Sequence, residues 1–281
     1  MTHHRQTARL LPDGKRLHLN DGPIDLILSA DGAPDAIRTA YRAALTRFET
    51  ILDELCQELP LLRRPPTTPP QGQTGRAMWQ AVLPHASDNF ITPMAAVAGA
   101  VADTILAAMT QAAPLTRAFV NNGGDIALHL APGHHYTAAL IDRPDRPTLT
   151  ATTTIRADHP IRGIATSGWR GRSFSLGIAD AVTILAADAA TADACATIVA
   201  NAVDLPGHPA ILRRPAYTLQ PDSDLGDRPV TTAVAPLTPA EIAQALASGA
   251  IIANRLHAAG TIAAAILRLA NETLIVGDTP Q

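Results

Sequence analysis

The stretch FVNNGGDIAL, residues 119–128, sets two short apolar segments on either side of an Asn-Asn-Gly-Gly turn. Asn and Gly tolerate the positive backbone φ that a tight hairpin loop demands, so the stretch reads as two antiparallel strands joined by a turn. The pattern continues outward. RAFV from Arg117 leads into it, and DIALHLAPG, HYTAALID and TLTATTTI follow as short segments divided by Gly, Pro and Asp, with SFSL and AVTILA beyond. Together they predict the sheet of an α+β fold, with antiparallel neighbours rather than a regular strand-helix-strand array.

Helical patterns frame these strands. From Pro34, the residues Ile37, Tyr41, Leu45, Phe48, Leu52, Leu55 and Leu59 recur every three or four positions, which predicts an amphipathic helix ending near Pro60. Thr92-Pro93 gives a cap and first-turn signal for a long alanine-rich helix ending near Ala112. ATADACATIVANAVD and the segment from Pro239 to about His257 are two more helices, the last with Gly249 as a weak point. RLHLNDGPIDLILSADG near the start and ILRLANETLIVG at the end read as hairpins. Two irregular regions remain, the proline-rich 61–75 and a long loop at 205–236. The expectation is one domain over 1–281, antiparallel sheets packed with alanine-rich helices.

Composition narrows the function classes. Of 281 residues 47% are hydrophobic but only 3% aromatic, so the core is built from closely approaching backbones rather than large side chains. A formal charge of -3 supplies no general field for a polyanion, which excludes nucleic acid and a membrane surface as expected partners. Cys56 and Cys195 are too few and too far apart for a disulfide framework, and a reducing, cytoplasmic setting follows as the expectation. The most apolar helical stretch, from Pro93, carries Asp103 in its middle, and no transmembrane span is expected.

Three segments could carry chemistry. In the first, the two glycines after Asn122 let a ligand approach the backbone while Asn122 and Asp125 offer polar groups; a plain turn accounts for the same residues. In the second, GIATSGWRGRSFS from Gly163, the hydroxyls and amides of Thr166, Ser167 and Gly168 could cup an anion, and Arg170 and Arg172 could neutralise a pyrophosphate. The alternative is a polar turn with exposed arginines. In the third, ATADACATIV from Ala190, Asp193 and Thr197 lie four apart on one helix face, two hard oxygen donors suited to Mg²⁺. An Asp near a helix start also serves as a cap. Trp169 has a better chance than Trp79 of stacking on an aromatic ligand, and His129, His134 and His135 read as a surface hairpin rather than a zinc site.

In order, the alanine-rich helix with Gly99 and Asp103, then NNGGDI, GIATSG and ADACAT, resemble the ApbE superfamily, whose known enzymes are FAD:protein FMN transferases. The resemblance runs from about Pro93 to Asp204. It implies a T-fold-like architecture, with FAD or a related flavin nucleotide and Mg²⁺ as cofactors. It implies that Asn122, Gly123, Gly124 and Asp125 border the flavin and that Thr166, Ser167 and Gly168 contact the nucleotide. Asp193 and Thr197 would hold the metal, joined by a backbone carbonyl near Ala98 or Gly99. A protein hydroxyl would be the acceptor, and homodimerisation is left open.

Two departures bear on activity. The family's transferases usually carry a lysine before the helix glycine, where this chain has Val97-Ala98. They also carry His-x-x-Asp-Pro-x-x-Gly after TSG, where this chain reads SFSLGIADAV, with no histidine between His159 and His208. Asp180 is then the candidate base, and a carboxylate of ordinary pKa is a weak one for a hydroxyl. The SFSLGIADAVTILA segment resembles a separate branch, some of whose members are associated with sulfide assimilation into homocysteine. On that reading Cys195 is a candidate sulfur carrier; otherwise it is a small core residue. Transfer of FMN, sulfur handling and flavin binding without chemistry are the three functions in view.

Overall fold

The computed structural model describes residues 5–141 and 149–279. Asp142 and Thr148, at the ends of two predicted strands, lie outside them. An edge strand β1 (Thr7–Leu10) leads into β2 (Leu17–Asp21), β3 (Ile24–Asp31), α1 (Pro34–Leu62), α2 (Gln73–Val82), α3 (Val97–Ala112), β4 (Arg117–Asn122) and β5 (Asp125–Leu130). The hairpin β6 (His135–Ile141) and β7 (Leu149–Arg156) follows. The chain continues with β8 (Gly163–Ser167), β9 (Ala181–Ala186), α4 (Ala189–Ala202), β10 (Ile211–Pro215), β11 (Pro229–Val234), α5 (Pro239–Ala258), β12 (Ile262–Leu269) and β13 (Glu272–Gly277).

Nine strands form one antiparallel sheet in the order β1-β2-β3-β4-β5-β8-β9-β12-β13. The order exposes a duplication. β2-β3-β4-β5 with α1 and α3, and β8-β9-β12-β13 with α4 and α5, are both hairpin, two helices, hairpin, and the helices line up as α1, α3, α4, α5 on one face. The halves join through a narrow ladder, Ile126 opposite Ile164 and Ala127 opposite Gly163. Alternation along the strands explains the layering: Leu26, Leu28 and Val120 point to the helices and are fully buried, as are Ile105 and Met109 facing them. Each such side chain contributes about 1.5–3 kcal/mol relative to exposure. On the opposite face Leu128, Leu130, Ile164 and Leu185 pack under Ile155 and Tyr136 of the β6–β7 hairpin.

The stretch Pro93–Ala112 has a mean hydropathy of 1.5, long and apolar enough by length and composition to cross a membrane. Here it lies between α1 and α4 against β4 and β5, the position of a core helix.

Several expectations are corrected. α1 runs past Pro60 to Leu62, whose complete burial holds the last turn in place. The loop expected at 61–75 is shorter, because Gln73 already starts α2. SFSL is not a strand: Leu176 donates its amide to Asn201 Oδ1 at 2.9 Å rather than to a neighbouring strand. Region 205–236 contains the pair β10–β11, whose ladder ends with Pro215 opposite Pro229, where a missing N–H is tolerated. Gly249 does not interrupt α5; a Cβ there would lie 2.3 Å from Val203 Cγ2, so its bareness lets the helix sit close to the end of α4.

Candidate functional site

The site lies at the seam between the halves, where α3 and α4 approach to backbone contact. A Cβ on Gly99 would fall 2.2 Å from the Ala189 carbonyl oxygen, and one on Gly163 would fall 2.0 Å from that of Asp188. The start of α4 is therefore wedged between α3 and β8, and only glycine fits on either side. At this crossing each helix terminates the other. The Asp103 carboxylate of α3 accepts from the Ala189 and Ala190 amides at 3.1 and 2.9 Å, at the start of α4. Asp193 Oδ2 of α4 accepts from the Gly99 amide at 3.0 Å, in the first turn of α3. Both carboxylates sit where unpaired amides and the helix dipole favour negative charge. Asn122 adds a third tie, donating from Nδ2 to the Ala98 carbonyl at 3.1 Å.

Asp125, at the start of β5, faces the same crossing. Its Oδ1 accepts from the Thr166 amide at 3.2 Å. Burial pushes Asp125 up to about 7. Burial and then the charge of Asp125 hold Asp193 well above the usual carboxylate range. Burial likewise raises Asp103 to about 6, against the two amides that favour its ionised form. Neither Asp125 nor Asp193 has an ion-pair partner among the described residues. Two carboxylates at one crossing, both pushed up by burial and Asp193 also by the charge of Asp125, form a donor set of hard oxygens with surplus negative charge, which fits a divalent cation of the Mg²⁺ kind. Thr197 follows Asp193 by one turn and is half-buried. Among the described residues no three His, Cys, Asp or Glu side chains gather around a common metal position, so water and ligand oxygens would have to complete the shell.

The β4–β5 turn forms the open side. Asn121 Oδ1 accepts from the Gly124 amide at 2.8 Å, and Gly123 and Gly124 hold φ of 66° and 120°, conformations that L side chains avoid. Arg172 Nη1 lies 3.3 Å from where a Cβ on Gly123 would stand. This guanidinium is exposed and has no carboxylate partner among the described residues. The TSG corner divides between the two faces of the sheet. Ser167 alternates to the helix side with Ala165 and Gly163, whereas Thr166 points the other way, its Oγ1 2.8 Å from Thr183 Oγ1. Gly168 is pressed against the Asp180 carbonyl, 2.5 Å from where its Cβ would be, so it makes a chain crossing rather than an open cup.

Two candidates lie apart from this cluster. Asp180, expected as a base, is almost fully buried with both oxygens engaged, one by Arg170 Nε at 2.6 Å and the other by the Ala270 amide at 2.7 Å. Cys195 is fully buried with its Sγ 3.8 Å from His85 Nε2, and burial pushes the thiol up to about 12. A thiol so buried stays protonated near neutral pH, which favours the reading of Cys195 as a small core residue. Trp169 lies beneath Arg170, whose guanidinium carbon is 4.2 Å from its ring centroid. His129 is tied to the Leu115 carbonyl at 3.0 Å.

Sequence reasoning missed what Asp103 does, and Thr183 entirely. Asp103 is the only charged residue in Val97–Ala112, the signal that could have revealed a capping partner; Thr183 has no such mark. Two shallow clefts, about 460 Å³ along α1 at Thr39 to Thr50 and about 480 Å³ at His134, His135 and Arg156, include none of the seam residues.

The fold and seam define a class: a duplicated antiparallel α+β protein with an acidic pair between its halves and a cationic arm over a glycine turn. The family model described as AbpE bacteria matches residues 8–276, and the chain belongs to that family, an ApbE-like branch. It is similar to the UPF0280 protein of Methanothrix thermoacetophila, 40% identical over 121 residues, 42% of this chain and 49% of that one. The UPF0280 protein of Methanosphaerula palustris is 37% identical over 123 residues, 40% and 47% of the two chains. The chain thus spans about half the length of these relatives. Among solved structures, the apo flavinyl transferase ApbE of Pseudomonas stutzeri overlays with a TM-score of 0.45 and 10% identity, covering 96% of this chain and 93% of that one.

Proposed function

We propose that the seam binds a flavin nucleotide carrying a diphosphate, FAD or a close relative, together with a divalent cation. One observation carries the reading: the half-buried Asp125 and Asp193 face the same helix crossing with no ion-pair partner among the described residues, while the exposed Arg172, also without a carboxylate partner among them, stands over the bare Gly123–Gly124 turn. Asp193, Asp125 and Thr197 would hold the cation, which neutralises the acidic pair and draws phosphate oxygens to it. Arg172 and the exposed turn amides would meet the anion from the open side. The family to which the chain belongs and the motif order that resembles flavin transferases agree with this ligand class.

Transfer of FMN would break the phosphoanhydride of FAD, join the FMN phosphorus to a protein hydroxyl and release AMP, with the hydroxyl proton passing to a base. Asp180 is occupied by its two donors, so this chain brings no ready base from the SFSLGIADAV segment, and binding is the better supported half of the reading. The burial of Cys195 weighs against a sulfur carrier. Calorimetric titration with FAD tests the proposal. Binding at least about tenfold tighter with MgCl₂ than with EDTA is expected from loss of the charge-assisted contacts. No binding in either condition, or equal affinity in both, would refute it. AMP release on incubation with protein acceptors separates a transferase from a binder.

A further inference from the structure

Beyond the acidic pair, the segment after TSG closes on itself. Gly168 packs on the Asp180 backbone, the Trp169 amide donates to the Ala179 carbonyl at 3.0 Å, and Arg170 Nε donates to Asp180 Oδ1 at 2.6 Å. Residues 168–170 and 179–180 are thus fastened side by side, and the eight residues between them, 171–178, form a compact excursion of the Ω-loop kind. The fastening is anchored to the second half. Asp180 Oδ2 accepts from the Ala270 amide at 2.7 Å and the Asp180 amide donates to the Arg268 carbonyl at 2.9 Å. Ala270, in the β12–β13 turn, holds a φ of 52° that alanine seldom adopts, so its amide is presented to the carboxylate at a conformational cost. The exposed crown of this loop carries Arg172 back over Gly123 in the first half.

We propose that Asp180 is a positioning residue for anion binding: by clasping Arg170 and the Ala270 amide it fixes the loop so that Arg172 is held over the Gly123–Gly124 turn to receive a ligand phosphate. The inference rests on the reading that an anionic ligand sits there, and it assigns to Asp180 a role other than proton transfer. It also gives the loop that replaces the histidine segment a purpose, that of delivering a guanidinium across the seam.

The test is fluorescence titration of FAD in excess MgCl₂ at several salt concentrations, with wild type, R172Q, D180N and the double variant, and thermal melting of each. Removing a guanidinium that meets a phosphate is expected to weaken binding by about tenfold and to flatten its salt dependence. D180N should weaken binding several-fold, flatten the salt dependence in the same way, and add nothing in the R172Q background, because its effect passes through Arg172. A purely structural Asp180 would lower the melting temperature but leave affinity unchanged, or give losses that multiply in the double variant, and either result overturns the proposal. If D180N does not fold, R170Q opens the same clasp from its more exposed end and is held to the same outcomes. If the wild type fails to bind FAD, or R172Q binds as wild type does, the ligand reading itself fails; if R172Q is weakened and the clasp variants are not, only the positioning role does.

Discussion

Asp125→Asn should make the metal-free protein more stable at alkaline pH. A carboxyl raised from 3.8 to about 7 by burial binds a proton in the folded state that the unfolded chain has already released. Stability contributed at this position therefore falls as pH rises from about 4 towards 7, and the loss is complete above 7. The full penalty is about 4 kcal/mol; halving it for water reaching a half-buried group leaves about 2 kcal/mol. Asparagine carries no charge, can still accept the Thr166 amide through its oxygen, and relieves Asp193 of its like-charged neighbour. In EDTA at pH 8 the melting temperature of the variant should exceed that of wild type by roughly 4–8 °C, and most of the difference should vanish at pH 4.5. Added Mg²⁺ should reverse the order, because wild type gains stability from cation binding and the variant lacks a ligand. A variant less stable than wild type at pH 8 in EDTA, or a difference independent of pH, would refute the argument that the two carboxylates strain the seam when no cation is bound.

Gly99→Ala places a methyl 2.2 Å from the Ala189 carbonyl with backbone on both sides, so α3 and α4 must separate; urea unfolding should register a loss of about 3 kcal/mol or more. Asp103→Ala leaves the Ala189 and Ala190 amides at the start of α4 without their acceptor and should cost about 1–2 kcal/mol in the same assay, a test failed if stability is unchanged. A thiol reagent at pH 8 should modify exposed Cys56 quickly and Cys195 only after denaturation, and rapid modification of both in the native protein would contradict the burial assigned to Cys195.

The sequence by itself determined the local elements and their order. The Asn-Gly turn at 121–124 and the recurrence of apolar residues from Ile37 to Leu59 each act within a few residues, where backbone sterics and side-chain periodicity suffice; the cap expected at Thr92 does not form, since its hydroxyl donates to Asp224 and the α-helix begins only at Val97. The order of the NNGGDI, TSG and ADACAT motifs was legible too, and all three meet at the seam. Tertiary structure alone decided that the sheet is two matching halves joined by a narrow ladder, because strand neighbours separated by whole helices leave no local trace. It decided that Thr166 and Ser167 part to opposite faces and that Asp103 and Asp193 cap each other's helices across more than eighty residues. It also occupied Asp180 with Arg170 and buried Cys195 beside His85. A side chain's chemistry is set by its partners and its access to water, and both come from segments far away in the chain.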